Sequence, residues 1–334
     1  MERPIVALSP MADMTDSAFC QTVREVIAED VEKSRVIVFR EMVSSEAVVR
    51  GNDKTLAMTE IHPSERPLVQ QIFGADPATM KEAARIVNEQ FSPEGIDINM
   101  GCPVYKITSN FNGAALMKDA DLATAIVREM KSAIRVPLSV KIRAGWSKYT
   151  ECVEFAKRLE DAGADLITVH GRTKEQGYAG KSNREAVAAV KRAVNIPVLY
   201  NGDVFDADEY LLALEQTNCD GVLIARGGLG NPWIFRDIEK RLQGQTTRPV
   251  TLKERVDVVK RHARHHLAQY GDGAVTTFRK HLSWYFKGIP HFKIFKTELM
   301  QIKEPEALFA LLDKVRASED LALTVPTQST TLSL

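Results

Sequence analysis

The chain has 334 residues, of which 44% are hydrophobic and 26% are charged, and its 44 basic and 44 acidic side chains leave no net charge. These proportions are typical of a soluble globular protein and disfavour a disordered or fibrous chain. The N-terminus has no charged segment leading into an apolar one, and no apolar stretch approaches the length of a membrane span, so we expect a cytoplasmic protein without a signal peptide.

Short apolar runs alternate with longer amphipathic segments up to about residue 240. Eight strands separated by helices predict a (β/α)8 TIM barrel, an α/β fold. A doubly wound open sheet is the alternative, but polar or Gly-rich residues after most strands fit a ring-shaped site better. The predicted strands are Pro4–Leu8, Val36–Phe39, Leu68–Phe73, Gly95–Asn99, Leu138–Ile142, Leu166–His170, Val198–Asn201 and Gly221–Ala225. Helical patterns between them include Pro77–Gln90, Ala120–Ile134, Thr150–Asp161, Arg184–Ala193 and Ala207–Gln216.

Polar side chains follow almost every predicted strand. The carboxyl ends of all barrel strands meet on one face, where barrel enzymes keep their active sites. Each residue alone has an ordinary explanation, such as a loop cap or a solvated strand end, but their joint occurrence predicts a site. These strand ends include Met11, Gln71, Asn99, Lys141, His170, Arg172, Asn201-Gly202-Asp203 and Arg226-Gly227.

The segment Asp97–Cys102 is the centre of this predicted site, because an apolar run leads into it and a Gly-Cys-Pro turn ends it. Most free cysteines are small buried apolar side chains. Here Gly101 and Pro103 favour a shaped loop, so Cys102 is our candidate catalytic residue. The four cysteines are far apart, without a Cys-x-x-Cys pair, which predicts reduced thiols and no metal site.

The loops after the last two predicted strands suit a phosphate. Gly202 follows the seventh strand, Arg226 and Gly227 follow the eighth, and the next helix begins near Asn231. Glycines let backbone N–H groups approach an anion at this place in a barrel. A flavin would use the other polar residues, since Gln71 and Lys141 offer hydrogen bonds to its pyrimidine edge and the lysine stabilises an anionic reduced ring.

A second, helical region follows the barrel. Its helical patterns lie at about Leu252–Tyr270, Ala274–Lys287, Phe292–Gln301 and Glu304–Ala317, and they predict a small helical bundle. We therefore expect a barrel domain at 1–242, a linker at 243–250, a helical domain at 251–318 and a frayed tail at 319–334.

The helical region carries a strong positive charge. From Lys240 to Lys303 there are fourteen basic and four acidic residues, a net charge of +10, which predicts a polyanionic partner. The densest part, Phe278–Lys296, contains Lys280, Lys287 and Lys293 and no acid. The lysines are candidates for phosphate contacts, whereas most of the aromatic residues there are expected to fill the bundle core.

Taken together and in this order, these residues resemble the tRNA-dihydrouridine synthase family, and the stretch 279–288 is most similar to its B-type bacterial branch. The resemblance runs from Ser9 to about Lys296. Its motifs are Pro-Met-Ala-x-x-Thr-Asp at 10–16, Gln-x-Phe-Gly at 71–74, Asn-Met-Gly-Cys-Pro at 99–103, Val-Lys-x-Arg at 140–143, Val-His-Gly-Arg-Thr at 169–173, Asn-Gly-Asp at 201–203, Ala-Arg-Gly at 225–227 and Gly-Asn-Pro-Trp-Ile-Phe at 230–235.

The resemblance implies an FMN-binding TIM barrel followed by a four-helix domain that binds tRNA. The implied reaction is NADPH-dependent reduction of the C5–C6 double bond of uridine in tRNA, with hydride reaching C6 from reduced FMN and a proton reaching C5 from Cys102. A thiol has a reference pKa of about 8.5 and is mostly protonated at neutral pH, which suits a general acid. Asn99 and Arg172 are implied to position the uracil. The implied cofactor-binding residues are Pro10, Met11, Gln71, Lys141, His170, Asn201, Gly202, Asp203, Arg226 and Gly227.

Two positions depart from the family pattern, which commonly has Gly in place of Asp13 and Arg in place of Cys20. Asp13 lies in the first strand-end loop, where an acid is expected to affect flavin or substrate affinity. Cys20 lies on the following helix, where we expect an effect on packing only.

Two other functions are weighed against this one. An FMN barrel acting on a small pyrimidine or enone leaves the basic helical region unexplained. A redox-inactive RNA-binding relative has no use for the flavin-binding set. Ribosomal RNA in place of tRNA, NADH in place of NADPH, the modified position and the oligomeric state stay open, and no membrane or protein partner is indicated.

Overall fold

The computed structural model describes residues 4–289 and 292–318. Eight parallel strands form a closed barrel in chain order, which confirms the predicted fold. No helix in this described part of the chain is long and apolar enough to cross a membrane. The strands are β1 Ile5–Leu8, β2 Ile37–Ser44, β3 Leu68–Phe73, β4 Gly95–Met100, β5 Leu138–Arg143, β6 Leu166–His170, β7 Val198–Asn201 and β8 Gly221–Ile224.

The helices mostly lie where the apolar spacing predicted them. The side chain of Asp76 caps the helix at Pro77, and Thr251 and Glu254 form a capping box at Leu252, which explains why those helices begin there. The helices are α1 Ser17–Ala28, α2 Ser45–Val49, α3 Asp53–Ala57, α4 Pro77–Phe91, α5 Tyr105–Thr108, α6 Ala120–Ala133, α7 Glu151–Asp161, α8 Arg184–Ala193, α9 Ala207–Thr217, α10 Trp233–Leu242, α11 Leu252–Tyr270, α12 Val275–Tyr285, α13 Lys293–Gln301 and α14 Pro305–Arg316.

The strand register sets the level of the polar side chains. Asn99 pairs with Lys141 between β4 and β5, and His170 pairs with Arg143 on one side and with Asn201 on the other. The register therefore places Asn99 and Lys141 on one rung and Arg143, His170 and Asn201 on another, two residues further along, and both rungs lie towards the carboxyl end of the barrel. Ala7, Phe39, Leu199 and Leu223 form an apolar cluster of the same strands.

Strand β2 is longer than predicted. We expected it to end at Phe39, with Arg40, Glu41 and Met42 in the following loop, but it continues to Ser44 with a register shift between Arg40 and Val43. The buried guanidinium of Arg40 is bonded to Glu65 at 2.7 Å and donates to the carbonyl oxygen of Met58 at 2.6 Å. A charged side chain is therefore satisfied inside the fold, where the apolar pattern indicated a loop.

Contacts divide the described chain into two units. The barrel unit comprises the chain up to Asp16 and Arg35–Gly227, and the helical unit comprises Ser17–Ser34 and the described residues from Gly228 onwards. Helix α1 thus groups with the C-terminal helices, which its position in the sequence did not indicate. The domain boundaries at 1–242, 243–250 and 251–318 stay a prediction, and the expected frayed tail at 319–334 lies outside the described residues.

The helical unit has its own core. Apolar residues of α11, α12 and α14, among them Val259, Phe278 and Leu312, are fully buried in one cluster. Cys20 on α1 is also fully buried, and Gly230 lies so close to Trp284 that an added Cβ would be 2.3 Å from its carbonyl carbon. These contacts make α1 and the turn before α10 integral parts of this unit.

Asp13, the first departure from the family pattern, adopts a left-handed backbone conformation with φ of +62° and is exposed. Glycine populates this region without strain, whereas other residues pay a conformational cost that Asp bears better than most. Asp13→Gly is therefore expected to raise the free energy of unfolding by roughly 0.5–1 kcal/mol in urea titrations. The control Ala12→Gly, at a residue outside the positive-φ region, is expected to lower it, and a loss of stability in both variants would contradict this explanation.

Candidate active site

A cavity of about 370 Å³ lies at the carboxyl ends of the barrel strands. We call it the active-site cavity. Cys102, Asn99 and Arg172 line it, whereas Lys280, Lys287 and Lys293 belong to the helical unit. The cavity thus gathers residues from nearly every strand end, although their individual roles stay predictions. All of the predicted cofactor-binding residues also line it, namely Pro10, Met11, Gln71, Lys141, His170, Asn201, Gly202, Asp203, Arg226 and Gly227.

A series of side-chain hydrogen bonds runs from β5 to the Cys102 loop. The fully buried carboxylate of Asp97 accepts from Ser139 at 2.5 Å and from Gln71 Nε2 at 2.6 Å. Gln71 Oε1 accepts from Asn99 Nδ2 at 2.9 Å. Asn99 Oδ1 then accepts from the backbone N–H of Cys102 at 2.9 Å. The loop that carries the thiol is therefore tied to the floor of the cavity through two amide side chains.

Arg143 holds the same loop from the other side. Its buried guanidinium donates from Nε to the carbonyl oxygen of Gly101 at 2.8 Å and from Nη1 to those of Thr173 and Gly177 at 2.9 and 2.8 Å. The loop after β6 is thus connected to the loop after β4. Cys102 itself is only partly buried, while the other three cysteines are buried, so its thiol is the accessible one.

Lys141 places an amine in this cavity. Burial lowers the pKa of Lys141 to about 8, with a further lowering by Arg143 that Asp97 and Cys102 oppose. In the described chain this amine forms no ion pair or hydrogen bond. A lysine in this state is a cation at neutral pH, free to meet negative charge that develops on a bound group.

His170 is held neutral among cations. Burial, followed by the charges of Lys141 and Arg143, lowers the pKa of His170 well below its usual value. Its Nε2 lies 3.4 Å from Arg172 Nη1, and a neutral imidazole accepts there. His170 therefore serves as a hydrogen-bonding partner in the cavity, without adding charge.

The carboxylate of Asp203 forms ion pairs with two arginines of the cavity, Arg172 and Arg226. It accepts from Arg172 Nη2 at 2.7 and 2.9 Å, from Arg226 Nη2 at 3.1 Å and from the backbone N–H of Ser182 at 2.8 Å. Arg172 also donates to the carbonyl oxygen of Gly180 at 2.6 Å. Most of the Arg172 guanidinium is therefore committed, and its Nη1 contacts His170.

The glycines of the last two loops leave no room for a side chain. A Cβ on Gly227 would lie 2.1 Å from the carbonyl oxygen of Val204, and one on Gly202 would lie 2.3 Å from Ser182 Oγ. Glycine is therefore required at both positions by the packing of these loops against neighbouring protein atoms. Gly202, Arg226 and Gly227 also line the active-site cavity and form a candidate phosphate cradle. Together with the amine of Lys141, this cradle suits a flavin that carries a phosphate.

Three residues of the site were given no role in the sequence analysis. Arg143 belongs to the same motif as Lys141, and Asp97 begins the hexapeptide that ends in Cys102, so both lay beside residues already singled out. Tyr178 is 57% exposed, and its ring faces the guanidinium groups of Arg143 and Arg226 at 5.5 and 5.6 Å. It lies in a loop where the sequence shows no distinguishing pattern.

Known proteins resemble this chain over almost its full length. A family model described as Dihydrouridine synthase (Dus) matches residues 6–321. Identity is 36% to a probable tRNA-dihydrouridine synthase 1 of Synechocystis sp., over 95% of this chain and 88% of that protein. It is 34% to tRNA-dihydrouridine synthase B of Pasteurella multocida (92% and 91% covered) and 36% to that of Pseudomonas aeruginosa (90% and 89% covered).

A solved structure supports the fold. The complex of 2-naphthoyl-CoA reductase with 2-naphthoyl-CoA matches with a TM-score of 0.54 and 12% identity, over 72% of this chain and 50% of that one. This level of similarity concerns the barrel architecture alone.

The barrel, its polar cavity and these relatives define a flavin-dependent oxidoreductase. The chain belongs to the dihydrouridine synthase (Dus) family. This finding confirms the resemblance seen in the motifs, its B-type character and the enzyme class that the motifs implied.

The titration of Lys141 predicts that flavin binding depends on pH. Because its pKa lies near 8, the ammonium is lost as pH rises through that value, whereas an ordinary lysine would keep its charge to about pH 10. We expect flavin affinity to fall about 3- to 10-fold between pH 7 and 9.5, the difference between a charge-assisted hydrogen bond and the neutral one that the free amine keeps. Fluorescence titration of the apoprotein measures it. Lys141→Met should bind flavin more weakly at pH 7, and its affinity should not change with pH. Parallel pH profiles of flavin affinity for the two proteins would contradict the assignment of the pH dependence to Lys141.

Proposed function

We propose that this enzyme reduces the C5–C6 double bond of uridines in tRNA, with FMN as its flavin and NADPH as the electron donor. The observation that carries the proposal is the placement of the accessible thiol of Cys102 on a fixed loop of the same cavity that offers Lys141 and the phosphate cradle. The names of the relatives, tRNA-dihydrouridine synthases, support tRNA as the substrate.

The cavity residues divide into two groups by the part of FMN that they suit. Arg226, with the backbone of Gly202 and Gly227, would hold the phosphate. Gln71 and Lys141 would hold the pyrimidine edge of the ring, where the lysine charge favours electron density on the N1–C2 side. FMN held there, once reduced by NADPH, would supply the hydride for C6 of the uracil.

Asn99 and Arg172 suit the polar edge of the uracil. One hydrogen of Asn99 Nδ2 meets only the sulfur of Met42, at 3.1 Å, and a sulfur is a weak acceptor that a carbonyl oxygen readily replaces. Arg172 also lines the cavity, and its Nη1 has His170 as a partner among the described residues, at the long distance of 3.4 Å. Both groups donate, so they would stabilise the charge that develops on the uracil oxygen as C6 is reduced.

Cys102 would protonate C5. Its backbone is held on two sides, because its N–H donates to Asn99 and its carbonyl oxygen accepts from Ala114 N–H at 3.0 Å. The thiol therefore has a defined position, as general acid catalysis requires. The target base must leave its stack to reach this position at the end of the barrel.

The test is to incubate the purified holoenzyme with NADPH and a tRNA transcript that lacks modifications, followed by mass spectrometry of the nucleosides. We expect the wild-type enzyme to form dihydrouridine. Cys102→Ala is expected to keep FMN and its reduction by NADPH but to slow tRNA reduction by at least about 100-fold, the range of general acid catalysis.

The control is Cys152→Ala, which removes a buried thiol outside the cavity and is expected to leave the rate within about twofold. Full turnover by Cys102→Ala would remove Cys102 from the acid role. Turnover of free pyrimidines or enones, with none of tRNA, would favour the small-substrate alternative, and a protein that takes up no FMN would favour the redox-inactive one.

The helical unit supplies the surface that favours RNA over a small substrate. Several of its basic residues are neutralised by acids, for example Arg261 by Glu29 at 2.6 Å and Lys260 by Asp313 at 2.7 Å. By contrast, Lys280, Lys287 and Lys293 have no ion pair among the described residues, and the last two are exposed. Of the aromatic residues in the same stretch, Phe278, Tyr285, Phe286 and Phe292 are buried, so the core interpretation is confirmed for them.

These three lysines are proposed to bind the tRNA backbone. Replacing Lys280, Lys287 and Lys293 together by Ala should weaken tRNA binding and reduce the slope of log Kd against log salt by about 0.7–0.9 for each phosphate that the variant no longer neutralises. Filter binding at several salt concentrations measures both. The control replaces Lys81, Lys131 and Lys157, which are paired with acids in the barrel unit. Equal slopes for the two triple variants would place the docking surface elsewhere.

A further inference from the structure

We propose that Asp97 is a positioning residue of this reaction, whose carboxylate fixes the orientation of the Gln71 amide and, through Gln71 and Asn99, holds the Cys102 loop in place. The inference rests on the proposed function of Cys102 for its kinetic consequence. Its structural part stands on the hydrogen bonds alone. Gln71 and Asn99 line the cavity and Asp97 lies behind them, so Asp97 acts through its neighbours.

The direction of the series is dictated at both ends. A carboxylate only accepts, so Gln71 must turn its amino group to Asp97 and its oxygen to Asn99. Asn99 must then offer its own amino group to Gln71, which turns Oδ1 towards the loop. At that end the backbone N–H groups of Gly101 and Cys102, 3.1 and 2.9 Å away, only donate. One orientation of each amide therefore satisfies every group, and the reverse orientation would set donors against donors.

The same orientation prepares Asn99 for the substrate. Its Oδ1 is taken up by the loop, and one Nδ2 hydrogen is taken up by Gln71. The other Nδ2 hydrogen points to the sulfur of Met42. Were Gln71 to flip, Asn99 would flip with it, the N–H groups of Gly101 and Cys102 would lose their acceptor, and a carbonyl lone pair would face the substrate side.

The burial of Asp97 argues that its charge is retained for this purpose. Taking a carboxylate fully out of water is costly, and an apolar residue at such a place is often as stable or more so. Burial raises the pKa of Asp97 to about 6, while hydrogen bonds from Ser139 and Gln71 and the charge of Lys141 oppose that rise. The group is thus ionised at neutral pH and is an acceptor at both oxygens.

The test compares two substitutions of Asp97. Asp97→Leu removes the acceptor. Asp97→Asn removes the same charge near Lys141 but keeps an oxygen for Gln71, because its amino group can donate to Ser139 Oγ. The difference between the two variants therefore reports the loss of the acceptor, separated from the loss of charge.

Two of the measurements do not depend on turnover of tRNA. Hydrogen exchange of the peptide containing Gly101 and Cys102, measured in the apoprotein, reports the bonds to Asn99 directly. Alkylation of Cys102, identified by peptide mapping, reports the mobility of the loop. Stopped flow then separates the reduction of bound FMN by NADPH from its reoxidation by tRNA.

For Asp97→Leu we expect these two amides to exchange at least about tenfold faster and Cys102 to be alkylated faster. We expect tRNA-dependent reoxidation to fall about 10- to 100-fold. FMN content and its reduction by NADPH should fall by less, because Gln71 is one of several residues proposed to hold the flavin, whereas Asn99 and Cys102 are proposed to meet the substrate. Asp97→Asn and Ser139→Ala should each stay within about threefold in every readout. In the double variant Asp97→Asn with Ser139→Ala, no hydroxyl group orients the new Asn amide. Its rate of tRNA-dependent reoxidation should therefore fall by more than the product of the two single effects.

Several results would overturn the proposal. One is unchanged hydrogen exchange at Gly101 and Cys102 in Asp97→Leu. Another is an equal loss of rate in the two half-reactions of that variant. A third is an equal effect of Asp97→Asn and Asp97→Leu. Should Asp97→Leu fail to fold, the double variant decides, and additive effects in it would reject the role of Asp97. A wild-type enzyme that forms no dihydrouridine would reject the proposed function, while the exchange rates would still test the hydrogen-bond series.

Discussion

The closure of eight parallel strands is the constraint on which the site depends. Because closure fixes the register, residues as distant in sequence as Asn99, His170 and Asn201 line one cavity at the carboxyl end of the barrel. Polar groups gathered in one cavity need hydrogen-bond partners, which can be water or one another. The barrel supplies rigid positions, and the polar residues satisfy one another across neighbouring strands, as the bonds from Asp97 to Asn99 show.

Charge in the cavity is arranged asymmetrically. On one side, Asp203 neutralises Arg172 and Arg226, which holds both guanidinium groups in fixed places. On the other side, Lys141 has no acid in contact, and burial brings its pKa to about 8. A paired cation binds with little change in its own state, whereas an unpaired one responds to charge that appears nearby. Of these three cations, Lys141 is therefore the one whose charge state responds most to a bound anion.

The sequence predicted the barrel, most helix bounds and the set of strand-end residues, because these follow from apolar periodicity and from motifs next to strand ends. It missed the extension of β2 because Arg40 finds its partner Glu65 25 residues later, in a pairing that no local pattern contains. It also missed the grouping of α1 with the C-terminal helices, where Val26 joins their apolar core. Periodicity identifies an apolar face of a helix, but it does not say which surface will cover that face.

The charge of the helical region also depends on pairings that the sequence does not show. The count of +10 between Lys240 and Lys303 ignored acids from other parts of the chain, and Glu25, Glu29 and Asp313 pair with residues of this segment in the folded unit. The count therefore overstated the charge left for a partner. What remains is a smaller set of lysines concentrated in Phe278–Lys296, the stretch without acids of its own. For binding a polyanion, this remaining charge matters more than the total charge. A lysine already paired to a carboxylate neutralises less phosphate charge, so fewer counterions are released from the polyanion.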